Sequence, residues 1–240
     1  MIHGLRRSGG ADEETENTVQ RSRPHDKRVL VIGLGRFGSS LALELVAHGW
    51  EVLGMDSSPR LVQAYADSLT HTVVADATDD EALRQVGAHE FTRAVVAIGT
   101  HLEESILAAS LLVDMGVPHI WAKAISRRHG RILQQIGAHH VILPEHDMGE
   151  RVAHLVSGRM LDYVEIEEDF ALGKTRAPRE MIGRKLGETK VRTKHGITVV
   201  CIKRHGEQFT YATADTVPQK GDVIVVAGKT DDVEKFAEIA

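Results

Sequence analysis

The chain has 240 residues, of which 42% are hydrophobic and 26% charged, so it suffices for one large domain or two modest ones. Its formal net charge of −5 argues against nucleic acid as a partner. No apolar run approaches the roughly 18 residues of a transmembrane helix. The single cysteine, Cys201, excludes an internal disulfide and fits a reducing cytoplasm. We therefore expect a cytoplasmic protein that reaches a membrane only through a partner.

The first two thirds of the chain predict a parallel sheet that follows a tail. Residues 1–26 have almost no periodic apolar positions and predict a disordered tail. The predicted strands are 29–32, 51–55, 72–75, 94–98, 119–122 and 140–143. The predicted helices are 38–48, 58–68, 80–86, 103–115 and 127–136. This alternation predicts an α/β domain over residues 27–146, with a Rossmann-type doubly wound parallel sheet.

The remaining third predicts a second, smaller domain. A helical pattern over 147–161, with Asp147 as its N-cap, leads us to assign residues 147–162 to a connecting helix. The predicted elements that follow are strands at 164–166, 197–203, 208–211 and 223–227 and a helix over 230–239, capped by Thr230. Residues 203–208 have the length and the glycine of a hairpin turn. Residues 163–240 therefore predict a small α+β domain with a marginal core, which dimerisation would enlarge.

Three glycines follow the first predicted strand in "KRVLVIGLGRFGSSLALEL", residues 27–45. Gly33 permits a tight turn, Gly35 lets the backbone approach a phosphate, and Gly38 lets the helix pack on the strand. Asp56, at the end of the second strand, can accept hydrogen bonds from both ribose hydroxyls and would repel the 2′-phosphate of NADP. The alternative to a nucleotide site is an ordinary glycine-containing turn.

Other polar residues fall at the carboxyl ends of the predicted strands, where ligands bind in open α/β sheets. Arg36 lies inside the glycine loop, either near phosphate oxygens or simply in solvent. Asp76, in "ADATD" (75–79), either accepts from an adenine amino group or caps the next helix. Ile98 and Gly99 close the fourth strand at the switch point of the sheet.

The sequence provides no evident machinery to transform a nucleotide. A lysine four residues after a tyrosine, as in short-chain reductases, is missing at Tyr65, Tyr163 and Tyr211. HExxH, GxSxG and a Walker lysine are missing as well, and the 14 histidines lack metal-ligand spacing. We therefore predict a binding protein and no enzyme. An NAD-dependent oxidoreductase is the alternative from another class, because Asp56 permits NAD(H).

Six stretches fall in order at familiar separations: "VIGLGRFG" (31–38), "VVADAT" (73–78), "VAIG" (96–99), "IWAKA" (120–124), "QIGAHHVILPEHDMG" (135–149) and "RTKHGITVVCI" (192–202). Together they resemble the cytoplasmic regulatory subunits of the Ktr/Trk potassium-uptake systems. Those proteins consist of an RCK N-terminal domain (regulator of K⁺ conductance) followed by an RCK C-terminal domain. The resemblance covers residues 27–240, and the N-terminal tail has no counterpart in it.

The resemblance implies a homo-octameric ring, a tetramer of dimers, that binds ATP or ADP and docks on a membrane K⁺-translocating subunit. ATP would favour the active conformation and ADP the inactive one, at the inner face of the cell membrane. The same family pattern places Arg36 at the terminal phosphate, Asp56 at the ribose and Asp76–Ala77 at the adenine edge. Lys123 would lie near the phosphates. Glu145 would hold Mg²⁺ or Ca²⁺ at the γ-phosphate, which fits the preference of hard cations for oxygen ligands.

The complete predicted nucleotide-binding set is Gly33, Gly35, Arg36, Phe37, Gly38, Asp56, Ser57, Ser58, Asp76, Ala77, Ile98, Gly99, Thr100, Lys123, Ala124, His129 and Glu145. Taken alone, Lys123 also fits a solvated strand end, and Glu145 also fits a loop that faces water. A regulator of a cation/proton antiporter is an alternative within the same class of binding proteins.

The resemblance also implies a binding site for a second ligand, cyclic di-AMP, at a dimer interface of the C-terminal domain. The pocket would lie at "KVRTKHGITV" (190–199), where Arg192 would pair with a phosphate and Ile197 would pack a base. Ordinary dimer packing is the alternative. The stretch "ALGKTRAP" (171–178) departs most from the family pattern.

Overall fold

The computed structural model describes residues 27–156, 158, 160–167 and 169–240. The predicted disordered tail, residues 1–26, lies outside the described residues. The described chain forms two compact units, residues 27–124 with 128–142, and residues 125–127 with 143–240. None of the helices in these ranges has the length and hydropathy of a transmembrane segment.

The first unit is built on a six-stranded parallel sheet in the order β3-β2-β1-β4-β5-β6. Its strands are β1 (Arg28–Ile32), β2 (Glu51–Asp56), β3 (His71–Val74), β4 (Arg93–Val96), β5 (His119–Lys123) and β6 (His140–Ile142). The alternating helices are α1 (Arg36–Ala47), α2 (Pro59–Tyr65), α3 (Asp80–Gln85), α4 (Leu102–Asp114) and α5 (Arg127–Gln135), with a 3₁₀ turn at Ala88–Glu90. This architecture confirms the predicted Rossmann-type doubly wound sheet.

The centre of the sheet lies at β1 and β4. Four consecutive residues of β1, Val29 to Ile32, are buried, as expected for a strand covered on both faces. The chain order runs outward from β1 in one direction and from β4 in the other, so the connection reverses between them. That reversal creates a crevice at the carboxyl ends of the two strands, where such sheets bind ligands.

The second unit contains a five-stranded antiparallel sheet in the order β10-β9-β11-β8-β7. Its elements are α6 (Pro144–Val156), β7 (Asp162–Glu167), β8 (Phe170–Arg176), a 3₁₀ turn (Arg179–Met181), α7 (Leu186–Thr189), α8 (Val191–His195), β9 (Thr198–Lys203), β10 (Thr210–Tyr211), β11 (Val223–Gly228) and α9 (Thr230–Ala237). One face of the sheet packs on a core that includes Ile224, Val226, Val233 and Phe236. The predicted hairpin between β9 and β10 is present, and Gly206 in its turn has a φ of +79°.

Two predicted helix N-caps are wrong. The helix expected over 147–161 begins earlier, at Pro144, and ends at Val156; Asp147 lies in its first turn, with its N–H bonded to the Leu143 carbonyl. Proline suits the first helical position because its missing N–H would have no partner there. In α9 the cap position belongs to Lys229, and Thr230 is the first helical residue.

Strand β8 was not predicted, because its alternation is hidden in small residues. Its inward positions are Ala171, Gly173 and Thr175, all buried, and they carry little hydrophobic signal. A Cβ at Gly173 would lie 2.6 Å from Cγ1 of Val233 on α9, so this position needs a glycine. The stretch that departs from the family pattern, residues 171–178, thus includes most of a regular core strand.

Candidate functional site

The glycine loop joins β1 to α1 at the switch point. Gly33 has a φ of +94°, which favours glycine, and its N–H donates to the Met55 carbonyl of β2 at 2.7 Å. A Cβ at Gly38 would collide with the Gly33 carbonyl oxygen and lie 2.9 Å from Cβ of Ala97. A Cβ at Gly35, by contrast, would meet no heavy atom within 4 Å. Two glycines therefore serve the fold, while Gly35 leaves open space beside its backbone.

That open space lies directly before the N-terminus of α1. Gly35 occupies the N-cap position without a side chain to cap the free N–H groups, and the first turn contains no acidic residue. Both features favour an anion at this helix end, which carries a positive partial charge. Arg36, the first helical residue, is exposed, and its guanidinium makes no hydrogen bond or ion pair within the described part of the chain.

Asp56 ties the glycine loop to the next helix. Its Oδ2 accepts from the N–H of Leu34 at 2.7 Å, and its Oδ1 accepts from the N–H of Ser58 at 2.8 Å. Ser57 is exposed beside it, and Ser58 is the residue before α2. Each carboxylate oxygen retains a lone pair, so the half-buried Asp56 can still accept from ribose hydroxyls in a fixed orientation.

Asp76 lies after β3 and does not cap a helix. Its Oδ1 accepts from the N–H of Thr78 at 2.9 Å and from the Thr78 hydroxyl at 2.8 Å. These bonds lower the pKa of the Asp76 carboxyl below its usual value. The cap of α3 is Asp79, whose side chain accepts from the Glu81 N–H at 2.9 Å. The helix-cap alternative for Asp76 is therefore wrong. Asp76 is exposed at the strand end, and the neighbouring Ala77 is buried.

Lys123 crosses from the end of β5 toward the glycine loop. Its side chain is only 8% exposed, and its Nζ lies 5.7 Å from the ring centroid of Phe37 in α1. A Cβ at Gly99 would lie 3.0 Å from Lys123 Nζ. Gly99, which follows β4, therefore lies beside the end of the Lys123 side chain. The alternative of a solvated strand-end lysine is wrong.

Two predicted site residues near the end of β5 have their side chains enclosed by protein. Ala124 is buried, and its N–H donates to the Ile142 carbonyl at 2.8 Å. His129 on α5 is 1% exposed, and burial lowers the pKa of its imidazole because the charged form is desolvated. Contact of either side chain with a nucleotide stays a prediction.

Glu145 belongs to the second unit. It is exposed in the first turn of α6, which also contains Asp147. The described residues include no group of three or more His, Cys, Asp or Glu side chains arranged to hold a metal ion. A cation at Glu145 would therefore take most of its ligands from elsewhere, such as phosphate oxygens or water. The role of Glu145 at a terminal phosphate stays a prediction.

The predicted second-ligand residues occupy different environments in the second unit. Arg192 on α8 is exposed, and its Nε donates to the Thr198 hydroxyl at 3.1 Å. Ile197 is completely buried in the core of the unit, and a Cβ at Gly228 would lie 3.0 Å from its Cγ2. Arg192 presents a cation at the surface, whereas the position of Ile197 does not favour contact with a base.

Sequence reasoning missed the backbone partners of the site. Leu34 N–H and Met55 carbonyl hold the loop, but backbone groups leave no residue-type signal. Thr78 was not assigned to the site, although Asp-x-Thr is a common pattern for a side chain that bonds the backbone two residues on. That spacing was visible in "ADATD" and could have identified the turn.

Comparison with known proteins gives matches over nearly the whole described chain. The TrkA-N domain family matches residues 29–144, and the TrkA-C domain family matches residues 176–240. The chain is 38% identical to the Ktr system potassium uptake protein C of Bacillus subtilis (strain 168), covering 88% of this chain and 96% of that protein. It is 33% identical to the Ktr system potassium uptake protein A of Vibrio alginolyticus, covering 86% of this chain and 94% of that protein.

Solved structures share the fold at much lower identity. The GsuK RCK domain is 14% identical, with a TM-score of 0.62, over 88% of this chain and 47% of that chain. The GsuK channel bound to NAD is 14% identical, with a TM-score of 0.61, over 92% of this chain and 40% of that chain. This chain therefore spans less than half the length of these structural neighbours, and the likeness extends to the fold alone.

Proposed function

Because this chain belongs to the Ktr/Trk family of potassium-uptake regulatory proteins, with a TrkA-N domain followed by a TrkA-C domain, we propose that it is a nucleotide-sensing gating subunit. Its partner would be a membrane K⁺-translocating subunit, on which it would act from the cytoplasmic side. The observation that carries the sensing role is the open space at Gly35 before the α1 N-terminus, with Asp56 fixed beside the loop.

The site favours binding over chemistry. Its polar groups are helix N–H groups, two cations at Arg36 and Lys123, and two carboxylates held by neighbouring backbone N–H groups. These groups can orient phosphates and a ribose, which is what a sensor needs. No pair of side chains in this set has the arrangement of a nucleophile with its base. We therefore propose that the bound nucleotide leaves the site unchanged.

Discrimination between ATP and ADP would arise from contacts at the terminal phosphate. A ligand shifts a conformational equilibrium only by its differential affinity for the two states. Arg36 offers five donors to a phosphate, and a cation held by Glu145 would add a contact that ADP lacks. In a homo-octameric ring of dimers, sites that face each other would convert this difference into a hinge change, with ATP favouring the active form and ADP the inactive form.

NAD(H) is the second candidate ligand at the same site. Asp56 is an acid that can accept from unmodified ribose hydroxyls, and a GsuK channel of similar fold was solved bound to NAD, which supports NAD(H) as a candidate. A cation/proton antiporter is the alternative partner, and a transporter gene beside this one would separate the two. In the C-terminal domain, cyclic di-AMP stays a prediction that now depends on Arg192 alone.

A thermal-shift panel of ATP, ADP, NAD⁺, NADH and cyclic di-AMP tests the proposal. A ligand that binds the native state raises the midpoint of unfolding, and we expect ATP and ADP to give the largest increases. Mg²⁺ or Ca²⁺ should tighten ATP binding in the wild type but not in Glu145→Gln. Equal metal effects in both proteins would remove Glu145 from the site. No stabilisation by any adenine nucleotide would contradict the proposed function.

The regulatory role needs a transport assay. In cells deficient in K⁺ uptake, co-expression with the K⁺-translocating subunit encoded in the same genome should raise the rate of K⁺ uptake above that of the membrane subunit alone. Gly35→Ala is the matched control, because it should retain the fold but close the phosphate space. In this variant the rate of K⁺ uptake should no longer depend on nucleotide. Uptake that ignores the presence of this chain would contradict a gating role.

A further inference from the structure

The last atoms of Lys123 run along the backbone of Gly99 and end over the ring of Phe37. A Cβ built on Gly99 would lie 3.0, 3.4 and 3.8 Å from Nζ, Cε and Cδ of Lys123. The Nζ lies 5.7 Å from the Phe37 ring centroid, within the range of a cation–π contact. Three elements therefore define the path of this side chain: the end of β5, the segment after β4 and the first turn of α1.

This path takes a buried cation to the N-terminus of α1. Phe37 is the second residue of α1, whose N-terminus carries a positive partial charge and no acidic side chain in its first turn. Arg36 adds a second cation at the same helix end. An anion bound at the glycine loop would therefore be attracted by the helix N-terminus and by both cations.

We propose that Phe37 and Gly99 are positioning residues that hold the Lys123 ammonium at the phosphate end of the nucleotide site. The inference rests on the proposed nucleotide binding and goes beyond it, because it assigns a role to the ring of Phe37 and to the missing side chain of Gly99. The ring face attracts the ammonium, and the absence of a Cβ leaves the channel through which the lysine reaches the loop.

Three variants separate this role from a purely structural one. Phe37→Leu keeps apolar volume and removes the π face, whereas Phe37→Tyr keeps the face. In Gly99→Ala the added Cβ presses on the flexible end of Lys123 and on no backbone atom, so the fold should be retained. Thermal unfolding without ligand checks that each variant is folded before binding is measured.

The test measures dissociation constants for ATP, ADP and adenosine by calorimetry or competition. Phe37→Leu and Gly99→Ala should each weaken ATP and ADP about three- to tenfold, as expected for loss of a desolvated cation–π contact, and leave adenosine unchanged. Phe37→Tyr should bind like the wild type. In a Lys123→Met background, neither Phe37→Leu nor Gly99→Ala should weaken binding further.

The outcomes distinguish this inference from the proposed function. Equal loss of adenosine and ATP affinity, or a full effect of Phe37→Leu in the Lys123→Met background, would overturn the positioning role while nucleotide binding stands. A wild-type protein that binds neither ATP nor ADP would overturn the proposed function, and the positioning role with it.

Discussion

Gly35 and Gly38 lie in the same loop and have opposite surroundings. Gly38 packs against the Gly33 carbonyl and Ala97, whereas Gly35 borders open space. The sequence motif predicted both roles, because the spacing of glycines around a strand-to-helix turn reflects which backbone atoms come close. The hydrogen bonds that Asp56 accepts from the N–H groups of Leu34 and Ser58 were not predictable in the same way. They depend on the register of β1 against β2.

The first prediction separates these two glycines. Gly38→Ala should lower the free energy of unfolding by at least about 2 kcal/mol, because the clash is with a backbone carbonyl that cannot turn aside. Gly35→Ala should change the free energy of unfolding by less than about 0.5 kcal/mol, since its φ of −66° suits alanine. It should nevertheless weaken ATP binding by at least about tenfold.

Urea denaturation and calorimetry check the pair. If Gly35→Ala bound ATP like the wild type, the space beside Gly35 would not be the phosphate site. If Gly38→Ala were as stable as the wild type, the packing role of Gly38 would be wrong.

The second prediction concerns His129, the buried imidazole on α5. Burial places its pKa below that of the unfolded chain, which is about 6.5. As pH falls through about 6.5, the imidazole of His129 binds a proton in the unfolded chain before it does so in the native state. The free energy of unfolding therefore decreases. In His129→Gln this decrease should be smaller between about pH 7.5 and pH 5.5.

Urea midpoints across that pH range provide the measurement. Identical slopes in the wild type and in His129→Gln would refute the account of His129.

At the scale of elements, hydrophobic periodicity predicted every strand and helix of the first unit, with boundaries shifted by local contacts. The fourth strand was expected to extend to residue 98 but ends at Val96, although the N–H of Ala97 still donates to the Ile32 carbonyl of β1 at 2.7 Å. The second unit was harder to predict. Its short helices α7 and α8 and the strand β8 carry weak patterns, and small inward residues such as Gly173 conceal the alternation.

One histidine side chain extends a strand pairing. His139 precedes the three-residue edge strand β6, and its Nδ1 accepts from the N–H of Ile120 at 3.1 Å. Its own N–H donates to the Ile120 carbonyl at 3.0 Å. The side chain thus completes the pairing of β5 with the residue before β6.

The third prediction tests this bond. His139→Ala should lower the free energy of unfolding by about 1 kcal/mol, because the Ile120 N–H loses its acceptor. His139→Asn should recover most of that loss, since its Oδ1 can take the position of Nδ1. Amide hydrogen exchange at Ile120 provides the local measurement, and equal protection in His139→Ala and the wild type would rule the bond out as a stabilising contact.

At the scale of the whole molecule, the sequence predicted a sensor because a nucleotide fold lacks reactive machinery and because six stretches resemble one family. The family is confirmed by relatives that cover most of the chain. The choice between ATP, ADP and NAD(H), and the ring, stay proposals. Both depend on contacts between copies of the chain and on the identity of the ligand. The hydrophobic periodicity of one chain predicts neither.

The fourth prediction concerns Arg36 and its proposed contact with the terminal phosphate of ATP. Arg36→Ala should weaken ATP by about tenfold and weaken ADP less, because charge-assisted hydrogen bonds to the γ-phosphate are lost. Arg84→Ala is the matched control, since Arg84 is exposed and pairs with Asp80 away from the loop. Parallel losses for ATP and ADP in Arg36→Ala would show that Arg36 does not read the terminal phosphate.

The most direct test of the central claim is equilibrium binding of labelled ATP, followed by chromatography of the recovered nucleotide. The account predicts saturable binding and recovery of ATP chemically unchanged after prolonged incubation with the protein. Multiple turnovers to ADP, steady hydride transfer with NAD(H) and a small metabolite, or the absence of any adenine-nucleotide binding would each contradict it.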